Sequence, residues 1–470
     1  MTHWQDKRVI IIGAARQGIA LACYLSEHGA DVVLNDRRPE SEFRSIQQTL
    51  SDVPIEWVLE GHPLSLLDQA DLVCPSGGVP LSISIIGETQ NRGIPLSNDS
   101  QIFLEDATCK VVGITGSAGK STTTTLVGRM ATAFVEGANR KPASKVWVGG
   151  NLGSPLISVV DEVQSEDLAI MELSSFQLEQ MTRSPQVAAI LNITPNHLDR
   201  HKTMEAYTAA KARILENQTP ADVAVLGYDD PGAWALREKC LGEVIGFGLS
   251  HPPAGIPSVC LRDDQIILNV KDDDYELFSK ELISLRGEHN LLNVMAACAI
   301  GYAAGLSIES MQAGVKDFSG MPHRMEFVRE WGGAEWYNDS ISTAPERAMA
   351  AIMSFDEPII LLAGGRDKNL PWNEFASLVK RRIDHIILFG EAAGKIARSI
   401  EENQIDQGFN NKRPYTLLMC SDLKGAVQSA AKLVKHGDVV LLSPGGTSFD
   451  EFHDFEERGE AYIKWVKELH

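Results

Sequence analysis

An α/β chain with predominantly parallel sheets, divided into three units, is what this sequence of 470 residues predicts. Three observations lead there. β-Branched apolar runs alternate with helix-length amphipathic stretches along the whole chain, the βαβ rhythm of parallel sheets. The strand-like runs end repeatedly in glycine-rich or polar segments, and that carboxyl edge is where open α/β sheets bind ligands. One such segment, Val112-Gly113-Ile114-Thr115-Gly116-Ser117-Ala118-Gly119-Lys120-Ser121-Thr122, carries a strand into a glycine turn and then into a helix opened by Lys-Ser-Thr. That arrangement holds a nucleotide triphosphate.

The first unit, residues 1–108, opens as a Rossmann-like βαβ element. A strand at 9–12 leads into Gly13-Ala14-Ala15-Arg16-Gln17-Gly18, then a helical stretch through His28 and a second strand at 31–34 ending in Asn35-Asp36. Ala15 stands where a dinucleotide fingerprint has its middle glycine. The turn therefore reads as a site for a redox cofactor, a site for a uridine nucleotide, or plain packing.

The central unit, 109–319, is a P-loop ATPase domain with a parallel sheet. Gly116, Ser117, Ala118 and Gly119 offer backbone N–H groups to phosphate oxygens, Lys120 a mobile cation, and Ser121 or Thr122 a hydroxyl for Mg²⁺. Ile114 replaces the first glycine of the general pattern, with glycines at 113 and 116 instead. A strand at 168–172 ends in Glu172, which would complete a magnesium shell or stand as an acid at a helix start. The run 187–192 leads into a polar loop where His197 and Asp199 could reach a phosphate or metal, or simply face solvent. Lys211, in Ala209-Ala210-Lys211-Ala212-Arg213, reads by itself as a helix-surface lysine. An insert at 246–282 has short alternating strands and an acidic turn, Asp272-Asp273-Asp274, read as a solvated loop. A helix follows at 289–304.

The third unit, 320–470, is a Rossmann-like α/β domain with strand runs at 336–338, 359–362, 385–389, 416–419 and 439–442. Asn338-Asp339-Ser340 reads equally as a strand end or a turn.

Composition narrows the function classes. A formal net charge of −20 argues against a nucleic-acid surface, although local positive pockets can still bind small anions. The seven cysteines, at 23, 74, 109, 240, 260, 298 and 420, include no CxxC pair and read as reduced, buried thiols. No basic-then-apolar leader opens the chain, and the longest nearly apolar run, 291–306, is too short to span a bilayer. A cytoplasmic protein without membrane or nucleic-acid partners is expected, and a monomer.

Several separated motifs, in order, resemble the muramyl ligases, ATP-dependent amide-forming enzymes of cell-wall synthesis. They are residues 115–122, Glu172-Leu173-Ser174-Ser175-Phe176-Gln177-Leu178-Glu179, Asn192-Ile193-Thr194-Pro195-Asn196-His197-Leu198-Asp199-Arg200 and Gly287-Glu288-His289-Asn290-Leu291-Leu292-Asn293. The Glu172 run, with residues 148–155 before it, most resembles the branch adding glutamate to UDP-N-acetylmuramoyl-L-alanine. The resemblance implies that Lys120, Ser121, Thr122 and Glu172 hold ATP and a first Mg²⁺, with His197 near a second. It implies that Lys211 carries a carbamate, an oxygen ligand suited to a hard cation. Asn290 and Asn293 would hold the adenine and ribose region, Arg324 the phosphates, and Asp339 the ribose or the metal shell. Gln17, Asp36 and Arg38 match uridine-diphosphate contacts, and Asn151 a residue near the muramoyl portion. Lys368, Ser448 and Phe455 would enclose the glutamate carboxylates. The D-glutamate pattern has a lysine just after Asn-Asp-Ser and an asparagine three residues on, where this chain has Ile341 and Ala344. D-Glutamate is the expected substrate, with L-glutamate, ligation of another amino acid by a muramyl-type ligase, or a folate-type glutamyl ligation as alternatives. A hinge near 320–322 is expected to close the third unit over the second.

A nicotinamide oxidoreductase would explain the first unit and leave the phosphate loop idle. A phosphate-loop switch would explain only the second.

Overall fold

A computed structural model describes residues 4–137, 144–271, 273–368, 370–403 and 413–470. Its strands form three sheets. In the first, β1 (Arg8–Ile12), β2 (Asp31–Asn35), β3 (Ile55–Val58) and β4 (Leu72–Pro75) are all parallel, in the order β3-β2-β1-β4. Val9, Ile10, Ile11 and Ile12 are all fully buried, so β1 is apolar on both faces instead of alternating.

The second sheet contains β5 (Lys110–Thr115), β6 (Val146–Gly150), β7 (Leu168–Glu172), β8 (Val187–Ile190), β9 (Val223–Gly227), β10 (Glu243–Gly248), β11 (Ser258–Arg262), β12 (Gln265–Val270) and β13 (Asp273–Ser279). Their order is β13-β12-β11-β10-β9-β8-β5-β7-β6. Pairing is parallel from β6 across to β11, and β12 and β13 then fold back antiparallel. The acidic segment read as a loop is partly strand. Asp273 and Asp274 open β13, where Arg262 pairs with Asp274 and Asn269 donates to it at 2.9 Å, so cross-strand partners offset the charge. Asp272 lies outside the described residues.

The third sheet holds β14 (Glu326–Trp331), β15 (Ala334–Asn338), β16 (Ile359–Gly364), β17 (His385–Phe389), β18 (Thr416–Met419) and β19 (Val439–Gly445). Its order is β14-β15-β19-β16-β17-β18, antiparallel between β14 and β15 and parallel elsewhere.

By contacts the chain divides into two units. One runs to Phe318 without Leu285–Gly287, which belong with Ser319–His470. The first two sheets share the former because their apolar cores are continuous. Ile102 and Phe103 lie in one cluster with Leu156, Ile157, Val160 and Ala169. The helices Arg16–Glu27 and Asp99–Asp106 both pack on the 3-10 segment Leu156–Glu162.

The apolar run at 291–306 is mostly the helix Glu288–Ala304, whose residues 293–301 are buried against the second sheet and the helix Lys120–Gly137. Among the described residues no helix is long and apolar enough to cross a membrane. All seven cysteines are free. Cys74, Cys109, Cys260 and Cys298 are buried as expected, whereas Cys23, Cys240 and Cys420 are only half-buried, the last two lying just past the ends of elements.

Candidate functional site

The phosphate loop occupies residues 116–119, between β5 and the helix Lys120–Gly137. Gly119 has φ +82°, a conformation that L side chains rarely adopt, and a Cβ on Gly116 would sit 2.9 Å from that of Leu191. The loop is braced by the segment that follows β8, the strand next to β5. Asn192 accepts the Ala118 N–H at 2.8 Å and donates back to the Ala118 carbonyl at 3.2 Å. Ser117 Oγ donates to the Thr194 carbonyl and lies 3.0 Å from the Tyr207 hydroxyl. Lys120 curls over the loop, its Nζ 2.8 Å from the Gly116 carbonyl. Ser121 is half-buried and Thr122 buried at the helix start. Asn293, buried and bonded to Asn290 at 3.1 Å, places its amide against Gly119.

Glu172 ends β7 with 2% of its surface exposed. One carboxylate oxygen accepts from Asn151 Nδ2 at 2.7 Å, and the other, Oε2, is buried without a hydrogen-bond partner. Such an atom is costly unless a cation supplies the missing contact. Asn151, expected beside a muramoyl group, is thus also the brace of Glu172.

Lys211 is not the surface residue that its sequence context suggests. It is 1% exposed on the helix Met204–Glu216, with Nζ 2.9 Å from the Gly116 carbonyl and 3.3 Å from Thr115 Oγ1. Tyr207, one turn earlier on the same helix, lies under its ammonium, 4.8 Å from ring centroid to Nζ. Burial, and then the charge of Lys120, push the Lys211 amine down to about 6, while Glu172 pulls the other way.

His197 lies on the exposed loop before the short helix Leu198–His201, with φ +54°, edge-on to Phe176 at 5.1 Å. The side chain of Asp199 lies outside the described residues. Among those residues no three His, Cys, Asp or Glu side chains converge as a metal cage. A buried carboxylate oxygen and alcohol groups beside a phosphate cradle nonetheless suit Mg²⁺, a hard cation that keeps waters and shares substrate phosphates.

At the carboxyl edge of the first sheet, Gly13 has φ +101° and the Ala14 N–H donates to Asp36 at 2.8 Å. Burial alone would raise the Asp36 carboxyl, but the Arg38 guanidinium and the N–H groups of Arg38 and Ala14 outweigh it and hold it at about 2. Gln17 is half-buried in the first turn of the following helix. The same edge therefore gathers Gln17, Asp36 and Arg38.

Within the second contact unit, Arg324 sits between two residues of positive φ, His323 at +61° and Met325 at +47°. Asp339, just past β15, is 2% exposed and accepts from Ser443 at 2.8 Å. Burial pushes its carboxyl up to about 6, against hydrogen bonds from Ser342 and Ser443 and the charge of Arg324. Asn338 and Asp339 are therefore a buried strand end and not a surface turn. Lys368 Nζ donates to Thr343 Oγ1 at 3.3 Å, and its ammonium is drawn below the ordinary range by partial burial and then by Arg347 and Arg458. Ser448 is buried in the loop after β19, and Phe455 opens the helix Phe455–Lys467 with its carbonyl accepting from Ser340.

Sequence reasoning passed over Tyr207 and Arg458. The spacing of Tyr207 from Lys211, one helical turn, was the available signal. Arg458 is fully buried and donates to Ser340 Oγ, the Ser340 carbonyl and the Gly446 carbonyl, tying the loops after β15 and β19 together. No local pattern announces it.

Residues 114–301 match the family model described as Mur ligase middle domain, and 323–446 that described as Mur ligase, glutamate ligase domain. The chain is similar to the UDP-N-acetylmuramoylalanine--D-glutamate ligases of Clostridioides difficile, 37% identical over 99% of both chains, and of Pelotomaculum thermopropionicum, 36% identical over 98% of both. Among solved structures it resembles the UDP-N-acetylmuramate-alanine ligase of Thermotoga maritima, with TM-score 0.57 and 17% identity over 98% of this chain and 99% of that one.

Proposed function

The chain belongs to the Mur ligase family, and from that premise we propose that it joins D-glutamate to UDP-N-acetylmuramoyl-L-alanine with cleavage of ATP to ADP and phosphate, a step of peptidoglycan synthesis. The observation that carries the reading is a buried Glu172 oxygen without a hydrogen-bond partner together with a buried Lys211 amine that faces the phosphate loop.

A carboxylate is a poor acyl donor until one of its oxygens becomes a leaving group. The alanyl carboxylate therefore attacks the γ-phosphoryl group, giving an acyl phosphate and ADP. The glutamate amine adds to its carbonyl carbon, and the tetrahedral species expels phosphate and loses a proton. In this reading Gly116, Ser117, Ala118 and Gly119 cradle the phosphates, and Lys120 exchanges the Gly116 carbonyl for a phosphate oxygen. Thr122, Ser121, Glu172, His197 and Lys211, the last as its carbamate, would hold two Mg²⁺ ions, whose charge offsets that of the transferring group. Carbamylation joins the Lys211 nitrogen to CO₂ and releases one proton, so it needs the neutral amine that this burial favours. Asn290 and Asn293 border the adenosine, with Arg324 and Asp339 serving the phosphates and ribose. Residues 1–108 take the uridine nucleotide through Gln17, Asp36 and Arg38, with Asn151 toward the sugar; 109–319 bind ATP; 320–470 bind glutamate through Lys368, Ser448 and Phe455.

L-Glutamate is the second reading. Ile341 and Ala344 put aliphatic groups in the loop where the D-adding pattern of the family has a lysine and an asparagine.

Phosphate release with ATP, UDP-N-acetylmuramoyl-L-alanine and each glutamate enantiomer in turn is the test. Release with D-glutamate is expected; release with L-glutamate alone selects the second reading, and release with neither removes both.

A further inference from the structure

Arg200 lies in the Asn192–Arg200 motif without a role in the scheme above. Its contacts reach three segments that the reaction must keep in register. The first is the loop after β4, at the carboxyl edge of the first sheet. That loop is bolted to the Gly13 turn: Ser76 N–H donates to the Ile12 carbonyl at 2.9 Å and Ser76 Oγ to the Gly13 carbonyl at 2.9 Å. Arg200 grips the same loop from outside, Nη1 donating to the Gly77 carbonyl at 3.2 Å and Nη2 to the Val79 carbonyl at 2.9 Å.

The second segment is the turn after Glu172. The Arg200 Cζ lies 3.8 Å from the centroid of Phe176, four residues beyond that acid. Phe176 in turn stacks on His201 at 5.2 Å and an interplanar angle of 7°, and His201 Nε2 meets Ser175 Oγ at 2.9 Å. The third segment is the loop of His197, to which Arg200 belongs; positive φ at His197 and Lys202 brackets it.

A planar guanidinium can offer its face to a ring and its edge donors to two carbonyls at once, and an ammonium cannot. The partners in the 76–79 loop are neutral backbone oxygens, so these two contacts fix geometry.

We propose that Arg200 is a positioning residue that locks the uridine-nucleotide edge of the first sheet to the phosphate edge of the second, setting the distance from the alanyl carboxylate to the γ-phosphoryl group. The inference rests on the ligase reading for the identity of the two ligands. Catalysis by proximity is steep in distance, which gives such a lock a kinetic signature.

The test is steady-state kinetics of full-length Arg200→Ala and Arg200→Lys. In both, KM for UDP-N-acetylmuramoyl-L-alanine is expected to rise by about tenfold or more and kcat to fall, with KM for ATP and glutamate within about twofold of wild type and the thermal midpoint retained. A lysine variant like wild type, or a fall in kcat with every KM unchanged and a lowered midpoint, overturns the positioning role. If the wild-type chain is inactive with this substrate, the ligase reading fails, and calorimetric titration with UDP alone still decides the contact. Weaker binding by Arg200→Ala than by wild type supports the lock, whereas equal binding, or no binding by either protein, overturns it.

Discussion

A single lysine shows how burial makes a reactive group. Lys211 would be protonated in water throughout the neutral range, but enclosed by Thr115, Gly116 and Tyr207 it loses solvation that the charged form needs. Its folded value of about 6 means that the amine is mostly neutral above that pH and mostly charged below it. Carbamate formation, and the activity depending on it, should therefore fall as pH is lowered through about 6, and should fall at neutral pH when CO₂ is stripped from the buffer. Lys211→Ala should lose activity by about a hundredfold or more, comparable to removal of one preorganised electrostatic group. A short carboxylic acid such as formate should restore part of it by supplying the missing oxygens. Full activity of the alanine variant would take Lys211 out of the site. Only Tyr207, one turn back along the helix, was within reach of a local reading, because the other enclosing groups lie on β5 and in the phosphate loop. Glu172 and Lys120 were legible, since each stands where a strand or turn of recognisable pattern ends.

At the level of elements, length and apolarity of the run decided what was readable. β7 and β17 lie at the residues that their apolar or β-branched runs indicate, and so does β18, although it is a half-buried edge strand, whereas the buried central strand β9 was missed. β3 and β14 were passed over: Ile55-Glu56-Trp57-Val58 and Glu326-Phe327-Val328-Arg329-Glu330-Trp331 are edge strands with mixed, largely half-buried residues, and their order comes from a neighbouring strand. Loop geometry at the strand ends was legible only as glycine. The loops after β16 and β19 are zipped by Arg366 and Thr447, which exchange backbone hydrogen bonds at 2.8 and 2.9 Å. Gly446 permits that approach, because a Cβ there would lie 2.5 Å from the Gly364 carbonyl oxygen and 3.0 Å from that of Arg366. Both are backbone atoms and cannot swing away. Gly446→Ala is therefore expected to cost about 1–3 kcal/mol of stability, the usual range for overpacking. Calorimetric unfolding measures that loss. Because Ser448 and Lys368 flank the zipper, KM for glutamate should rise in the same variant while KM for ATP does not. An unchanged midpoint would mean that the two loops separate freely.

For the whole molecule, the decisive fact is that the chain passes between its two contact units more than once. It leaves the first at Leu285, returns at Glu288 and leaves again at Ser319. The brief excursion is held by Arg286, which bonds Glu357 at 2.5 Å and Glu335 at 2.6 Å. Near the last passage, Gly320 at φ +111° and His323 and Met325, also of positive φ, give a short run of unusual backbone. Chemistry makes a demand on these passages. In the proposed reaction the phosphate cradle and the glutamate residues belong to different units, yet an acyl phosphate must meet an amine before it meets water. Passages that turn together would allow open exchange of substrates and a closed reaction. Small-angle scattering should then show a smaller radius of gyration with a non-hydrolysable ATP analogue and UDP-N-acetylmuramoyl-L-alanine together than with neither. Uridine diphosphate alone should leave it unchanged, because that ligand is assigned wholly to the first unit. Superimposable profiles in all three states would mean that water is excluded without movement between the units.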